Sequence, residues 1–185
     1  MDTCGKCGGE GRMQPINRYQ IQKELMGNMR VELVGVVNAL VCKECGATMR
    51  TDIPDMSGLV AAVSVARAAK EPVKLNGPEI RFLRKAMGKS AKDLAEELRV
   101  TEETVSRWEN GHLVMGEPAE RIFRWTVADT LDGLVPGIDW EPDEILKKMN
   151  IVSVSAEPLV MYFHRPGQKR RGRKELPRYE QRMAA

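Results

Sequence analysis

The four cysteines of this 185-residue chain stand in two Cys-x-x-Cys pairs, a residue type and spacing suited to holding a metal ion. Cys4 and Cys7 form the first pair, Cys42 and Cys45 form the second, and a glycine follows each. Four thiolates satisfy a tetrahedral zinc ion and leave no position for water, which is typical of a structural site. The spacing therefore predicts one structural Zn2+. Two disulfides are the main alternative, which the absence of a signal peptide before Cys4 disfavours, and the spacing does not ask for an iron–sulfur cluster.

The 34 residues between the two pairs have a β pattern that would bring the pairs together. Apolar and polar residues alternate over 18–25 and 29–36, Gly27-Asn28 suits a hairpin turn, and 36–41 is more continuously apolar. We therefore expect a small sheet that is closed by the metal and is too small to form a core alone. Residues 1–52 carry seven Lys and Arg against six Asp and Glu. With no obvious basic face, this module is better suited to binding a protein than to reading DNA.

Residues 76–111 have the pattern of a helix-turn-helix, in which one helix enters the DNA major groove. Helix-starting residues and left-handed stop residues alternate at the spacing of three short helices. In chain order these residues are Asn76, Pro78, Gly88, Ser90 with Asp93, Thr101, and Asn110 with Gly111. Apolar residues at helical spacing, including Leu94, Val105 and Trp108, are expected to point inward. A three-helix bundle that only packs is the alternative, but caps, turn length and inward positions all favour DNA binding.

This pattern resembles the Cro/phage-repressor family of helix-turn-helix domains over about 36 residues plus a following helix. The resemblance implies that Glu102, Glu103, Thr104 and Arg107 face the groove, and that Arg84 and Glu109 form an internal ion pair. Two positions depart from the family. Ala91 stands where the family usually has a glutamine that contacts DNA, and Arg99 stands where glycine usually ends the second helix, so a left-handed residue there would be somewhat strained.

The expected DNA contacts therefore come from the caps and exposed positions of the last two of these helices. In this domain they are Ser90, Lys92, Thr101, Glu102, Glu103, Thr104, Ser106, Arg107 and Asn110. A glutamate in the major groove can accept a hydrogen bond from the cytosine amino group, and an arginine can fork onto guanine. The alternative for the two glutamates is that they are solvated acids that favour the helix dipole.

The order of zinc module, linking helix and repressor-type domain resembles the MqsA (YgiT-type zinc finger) antitoxin and regulator family, from residue 4 to about residue 131. The motifs that carry the resemblance are the two cysteine pairs, the valine-rich approach to Cys42, and residues 106–111. In that family the zinc domain neutralises a partner toxin, typically an mRNA-cleaving enzyme, while the other domain dimerises and represses its operon. The resemblance thus implies double-stranded DNA with a palindromic operator, a toxin protein and a second copy of the chain as partners.

Further helices are expected at 57–71, linking the domains, and at 117–131. The first is rich in alanine and valine and can also pair with a symmetry mate. The second has two apolar sides, one with Ile122 and Trp125 and one with Phe123 and Val127, so it is either a fourth core helix or a dimer face. A short helix at 142–149 packs nearby, and 151–164 reads as two β segments around Glu157-Pro158.

Residues 165–182 carry eight basic residues against two acidic ones, whereas the rest of the chain has 21 basic and 24 acidic. Lys169, Arg170, Arg171 and Arg173 have the composition of an arm that contacts a nucleic-acid backbone or minor groove. A disordered solubilising tail is the alternative. The sequence contains no apolar run long enough to span a membrane, and no arrangement of residues that favours an enzyme.

These observations predict an α+β fold with a zinc-binding β domain at 1–54, a linker helix at 55–73, a helix-turn-helix domain at 74–150, and a β segment with a basic tail at 151–185. The predicted function is that of a cytoplasmic, dimeric, zinc-stabilised transcriptional repressor that is the antitoxin of a toxin–antitoxin pair. The alternatives are a regulator without a toxin partner, or an RNA-associated zinc-ribbon protein that uses the ribbon and the basic tail.

Overall fold

The computed structural model describes residues 3–153, 160–164 and 180–182 and has the α+β architecture that the sequence predicts. A sheet built from both ends of the described chain stands beside five helices. The strands are β1 (Gly11–Gln20), β2 (Arg30–Cys42), β3 (Thr48–Asp52), β4 (Val160–His164) and β5 (Glu180–Arg182). The helices are α1 (Met56–Ala69), α2 (Gly77–Ala86), α3 (Ala91–Leu98), α4 (Glu102–Glu109) and α5 (Glu117–Leu131). Short helical turns lie at Lys23–Met26, Asp132–Leu134 and Glu144–Lys148.

Strand β2 is the centre of the sheet. It pairs antiparallel with β1 along one edge, from Gly11 opposite Cys42 to Gln20 opposite Glu32. Along its other edge, the first half of β2 pairs in parallel with β4 and the last part pairs antiparallel with β3. Strand β5 then pairs antiparallel with β4. The register of β1 on β2 brings the two cysteine pairs to the same end of the sheet.

The predicted hairpin turn is confirmed, but the predicted position of its first strand is wrong. Gly27 and Asn28 both have the left-handed backbone that the turn requires, with φ of 61° and 66°. However, β1 lies at Gly11–Gln20 rather than 18–25, and residues 23–26 form a helical turn that buries Met26 completely. Strand β1 begins beside the first cysteine pair, opposite Cys42, and ends at Gln20, opposite Glu32, where the helical turn follows. Predicted strands 29–36 and 36–41 are one continuous strand, β2.

Helix α1 lies in the core of the protein. Every residue from 61 to 69 is buried, and the buried side chains of the sheet and of the helices form one cluster. Its main helical neighbour is α5. The predicted helix is therefore present, but the idea that it pairs with a symmetry mate is wrong, since the chain itself already covers these residues.

The local signals of the helix-turn-helix are confirmed almost to the residue. Asn76 and Ser90 form capping boxes with Glu79 and Asp93. The Thr101 side chain accepts a hydrogen bond from the amide of Thr104 and so starts α4. Gly88 and Gly111 have positive φ after their helices, and Arg99 has φ of 54°, the strained conformation expected there. One detail differs: Gly77, not Pro78, is the first residue of α2.

Helix α5 presents one side to the core and one side to solvent. Phe123, Val127 and Leu131 are buried, which makes this the fourth core helix that the sequence allowed. On the other side Ile122 is 48% exposed and Trp125 is half-buried. The predicted helix at 142–149 is a single helical turn, Glu144–Lys148, with Ile145 buried.

The predicted β segments near the C-terminal end are partly described. Val152 makes one bridge to Val73, and β4 follows at Val160–His164, whereas Glu157-Pro158 lies outside the described residues. The same is true of Lys169, Arg170, Arg171 and Arg173. In the part of the chain that is described, no helix has the length and apolar character needed to cross a bilayer.

Candidate metal centre and nucleic-acid interface

The four cysteine sulfurs meet at one end of the sheet, as predicted. Cys4 Sγ lies 3.7 Å from Cys45 Sγ, and Cys7 Sγ lies 3.4 Å from Cys42 Sγ. All four sulfurs lie within 4.8 Å of one another, and none is in a disulfide. Four sulfurs at about 2.3 Å from a tetrahedral ion would be roughly 3.8 Å apart. The cluster therefore fits a metal ion with little adjustment.

Each cysteine pair sits on a tight turn that its glycine permits. Gly8 and Gly46 have φ of 75° and 68°, and their amides donate to the carbonyls of Cys4 and Cys42 at 2.8 and 3.1 Å. Cys4 and Cys42 are buried, whereas Cys7 and Cys45 are exposed. The turns thus place one buried and one exposed sulfur from each pair around a common centre.

Backbone amides around the cluster favour thiolates. The pKa of Cys42 is lowered to about 7, and the largest cause is the hydrogen bond from the backbone amide of Cys45. The pKa of Cys4 is also lowered, chiefly by the amide of Lys6. For Cys7 the amide of Gly9 has the largest single effect and lowers the pKa, but the neighbouring cysteines and burial together raise it to about 12. Like charges cannot all ionise at this distance, and a bound cation would remove that repulsion.

The second candidate site is the exposed face of α4. Val105, Trp108 and Glu109 are buried. The predicted contact residues lie on the opposite side or at the caps of α3 and α4. Those that are exposed are Ser90, Lys92, Thr101, Glu102, Glu103, Ser106, Arg107 and Asn110, while Thr104 is half-buried. Among the described residues Arg107 has no ion-pair partner, so its guanidinium is available to an outside acceptor.

Ion pairs hold α4 against α2. Arg84 donates to both carboxylate oxygens of Glu109, with Nη2 3.0 Å from Oε2, and this pair raises the pKa of Arg84. The predicted internal ion pair is therefore confirmed. The two helices also approach closely at Gly77, where a Cβ would lie 2.5 Å from the carbonyl oxygen of Glu109. Only glycine fits this contact without moving the backbone.

A buried network of charges connects α1, α2 and α5. Arg67 donates two hydrogen bonds to Glu79, at 3.0 and 2.9 Å. Arg124 donates to Glu120 and to the carbonyls of residues 67, 68, 71 and 73. Glu120 also accepts hydrogen bonds from Lys74 and from the amide of Leu75. Within the described residues, every buried side-chain nitrogen and oxygen has a partner.

This network was not predicted from the sequence, although two signals were present. Arg67 is the one charge inside an apolar helical stretch, and Glu120 and Arg124 stand four residues apart on a helix where they can pair. Burial pulls the pKa of Arg124 down to about 10, and the charge of Arg67 acts in the same direction. Carbonyls at the C-terminal end of α1 offset that cost, since they carry the negative end of the helix dipole.

Comparison with known proteins agrees with the helical part of this description. A helix-turn-helix domain family matches residues 80–120, which contain most of α2, all of α3 and α4, and the start of α5. The chain therefore contains a DNA-binding type of domain together with a four-cysteine cluster. No curated protein and no solved structure gave a match.

Proposed function

We propose that this chain is a sequence-specific transcriptional repressor in which α4 reads an operator in the major groove. The observation that carries this proposal is the division of α4 into two sides. Its inner side is packed through Val105 and Trp108 and clamped through Glu109. Its outer side presents polar groups, with Arg107 free of ion pairs among the described residues. A helix that is held in place in this way presents its outer side chains to the major groove in a fixed arrangement.

The direct test is selection of duplexes from a random pool by the purified protein, followed by affinity measurements with Arg107→Ala. We expect the wild type to enrich a two-fold symmetric sequence, and the variant to lose preference at one position per half-site, by roughly 1–3 kcal/mol per bidentate contact. Arg12→Ala, an exposed arginine on β1, is the matched control and should bind as the wild type does. Uniform weakening of all sequences by Arg107→Ala would show that this residue touches only phosphate.

We further propose that the cysteine cluster holds one structural Zn2+ and that the N-terminal module captures a toxin protein. Four thiolates that can surround one ion tetrahedrally favour zinc. A bound ion would cross-link the two turns without taking part in a reaction. The toxin partner follows from the resemblance to MqsA-type antitoxins. Co-expression with the product of the adjacent gene tests it: relief of that product's toxicity, lost with Cys42→Ser but kept with Arg107→Ala, would support the assignment.

We also propose a dimer contact on α5 and a nucleic-acid contact for the basic segment. The exposed side of α5, with Ile122 and Trp125, is suited to pairing with a second copy. The basic stretch 165–179 lies in sequence between β4 and β5, which pair with each other. We propose that this basic stretch contacts the nucleic-acid backbone. Deleting the stretch should then make DNA affinity depend less steeply on salt concentration. Preference for RNA over duplex DNA would instead favour the zinc-ribbon alternative.

A further inference from the structure

Arg81 on α2 reaches the end of α4 and contacts two of its residues. Its Nε donates to Glu109 Oε2 at 3.1 Å, and its Nη2 donates to Asn110 Oδ1 at 2.7 Å. Glu109 is also the partner of Arg84. Two arginines therefore share one carboxylate, and the more exposed of them, Arg81, extends beyond it to the residue that ends the helix.

The amide of Asn110 is held at both of its polar atoms. Its oxygen accepts from Arg81, while its nitrogen donates to the carbonyl of Ser106 at 2.9 Å and approaches Ser106 Oγ at 3.3 Å. An amide side chain has one acceptor oxygen and two donor hydrogens. Arg81 on the oxygen and the Ser106 carbonyl on the nitrogen fix the orientation of the amide, so the second N–H hydrogen, which makes only the longer approach to Ser106 Oγ, is the donor that Asn110 can offer to an outside molecule. The matching acceptor on DNA is a phosphate oxygen.

We propose that Arg81 is a positioning residue for DNA binding, which acts by fixing Asn110 as a donor to a backbone phosphate. This inference rests on the proposed function, because it assigns a role within the same interface. Without Arg81, the Asn110 side chain loses one of the two contacts that hold it, so its second N–H hydrogen is no longer held in position for a phosphate.

A double-mutant cycle tests the coupling between the two residues. DNA affinity is measured for wild type, Arg81→Gln, Asn110→Ala and the double variant on a duplex that the wild type selects. We expect each single variant to bind about tenfold more weakly, as for loss of one hydrogen bond to a charged group. The double variant should be no weaker than Asn110→Ala. Effects that multiply would overturn the proposal, since Arg81 would then act on DNA independently.

Two further variants separate geometry from charge and from folding. Arg81→Lys keeps the charge but lacks the fork that reaches Glu109 and Asn110 together, so it should bind as weakly as Arg81→Gln. Full affinity with lysine would overturn the proposal. Lys85→Gln removes a charge one turn along α2 and should leave affinity within about twofold, as expected for an exposed charge. Unchanged thermal melting of Arg81→Gln shows that folding is not the cause.

The same experiment separates the two proposals. If the wild type selects no duplex, the proposed function fails and this inference fails with it. If the wild type selects a duplex and Arg81→Gln binds it equally well, only the role of Arg81 is overturned.

Discussion

The two ends of β2 are stabilised by different kinds of interaction. At its last residue, Cys42, four cysteine sulfurs lie within 4.8 Å of one another, and the proposed metal ion would hold them together. Just before its first residue, the chain lies close to the helices: a Cβ on Gly27, in the turn that leads into β2, would lie 2.7 Å from Phe82 Cβ on α2. There the chain depends on apolar packing and on buried ion pairs that it supplies itself. The ends of a 13-residue strand are roughly 40 Å apart.

This difference indicates that metal binding and helix packing can be disrupted one at a time. The cysteine cluster is surrounded by short turns and an edge of the sheet, with two sulfurs exposed. The helices share a continuous core that includes α1 and the first half of β2. If the cluster holds the proposed ion, its removal should therefore disorder the far end of the sheet first, while the helix-turn-helix stays folded.

The largest expected effect is loss of the metal. Cys42→Ser removes a ligand, and the apparent binding energy of a structural zinc site is on the order of 10 kcal/mol. We expect the variant to purify without stoichiometric metal and to lose amide protection in β3 and the last part of β2. Protection in α2, α3 and α4 should persist.

Lys43→Ala is the control for this experiment, because it changes the same turn without touching a ligand. It removes only an exposed ion pair with Glu10 and should keep its metal. Parallel loss of protection in the helices of Cys42→Ser would contradict the separation of the two ends.

The reverse experiment uses the buried network. Arg124→Met leaves Glu120 with Lys74 as its remaining ion-pair partner and leaves several buried carbonyls without a donor, which should cost about 3 kcal/mol. The change in the free energy of unfolding is measured by urea denaturation, with tryptophan fluorescence as the signal. The variant should still bind one metal ion, since the cysteines are at the other end of β2.

An exposed ion pair is the matched contrast. Lys147→Met removes the partner of Asp143, where both side chains are more than half exposed, and should cost less than about 1 kcal/mol. Equal destabilisation by the two substitutions would show that the buried network has no special role.

A smaller effect is expected at Gly77. A methyl group there meets the carbonyl oxygens of Glu109 and Trp108 at 2.5 and 2.8 Å, so α2 and α4 must move apart. Gly77→Ala should lower stability by about 1–3 kcal/mol and weaken DNA binding, with metal content unchanged. Gly133→Ala, where a Cβ has nothing within 4 Å, should be neutral in the same thermal melt.

The smallest effect concerns pH. Ser90 lowers the pKa of Asp93, chiefly through its hydroxyl and then through its amide. A folded pKa below the unfolded value means that Asp93 stabilises the protein above about pH 4, and that this contribution disappears as pH falls through the folded pKa. The melting-temperature difference between wild type and Asp93→Asn should therefore shrink in acid. Asp129→Asn is the control, and a difference that grows in acid would contradict the assignment.

The helix-turn-helix was largely predictable because its signals are local. Asn76, Ser90 and Thr101 each cap a helix through contacts three residues away, and the same short-range logic located the left-handed residues after each helix. The four-cysteine cluster was predictable from its residue type and from the two-residue spacing within each pair, although the two pairs meet only across 35 to 41 residues of chain. In the helices the informative interaction spans fewer than five residues.

The sheet was harder because its pairings join distant parts of the chain. Nothing near residues 160–164 in sequence indicates that they pair with β2, and the start of β1 depends on the register that joins the two cysteine pairs. The burial of Arg67 and Arg124 was also hidden, because a charge in a sequence does not reveal that a partner carboxylate and carbonyls will surround it.

The sequence by itself determined where α2, α3 and α4 start and stop, and that each cysteine pair can present two sulfurs to one ion. These outcomes depend on backbone preferences and hydrogen bonds within one or two turns of chain. Only the tertiary structure decided that α1 is a core helix, that both ends of the described chain share one sheet, and that Arg81 reaches Asn110. Those contacts join residues that are far apart in sequence, and they form only once burial brings the surrounding elements together.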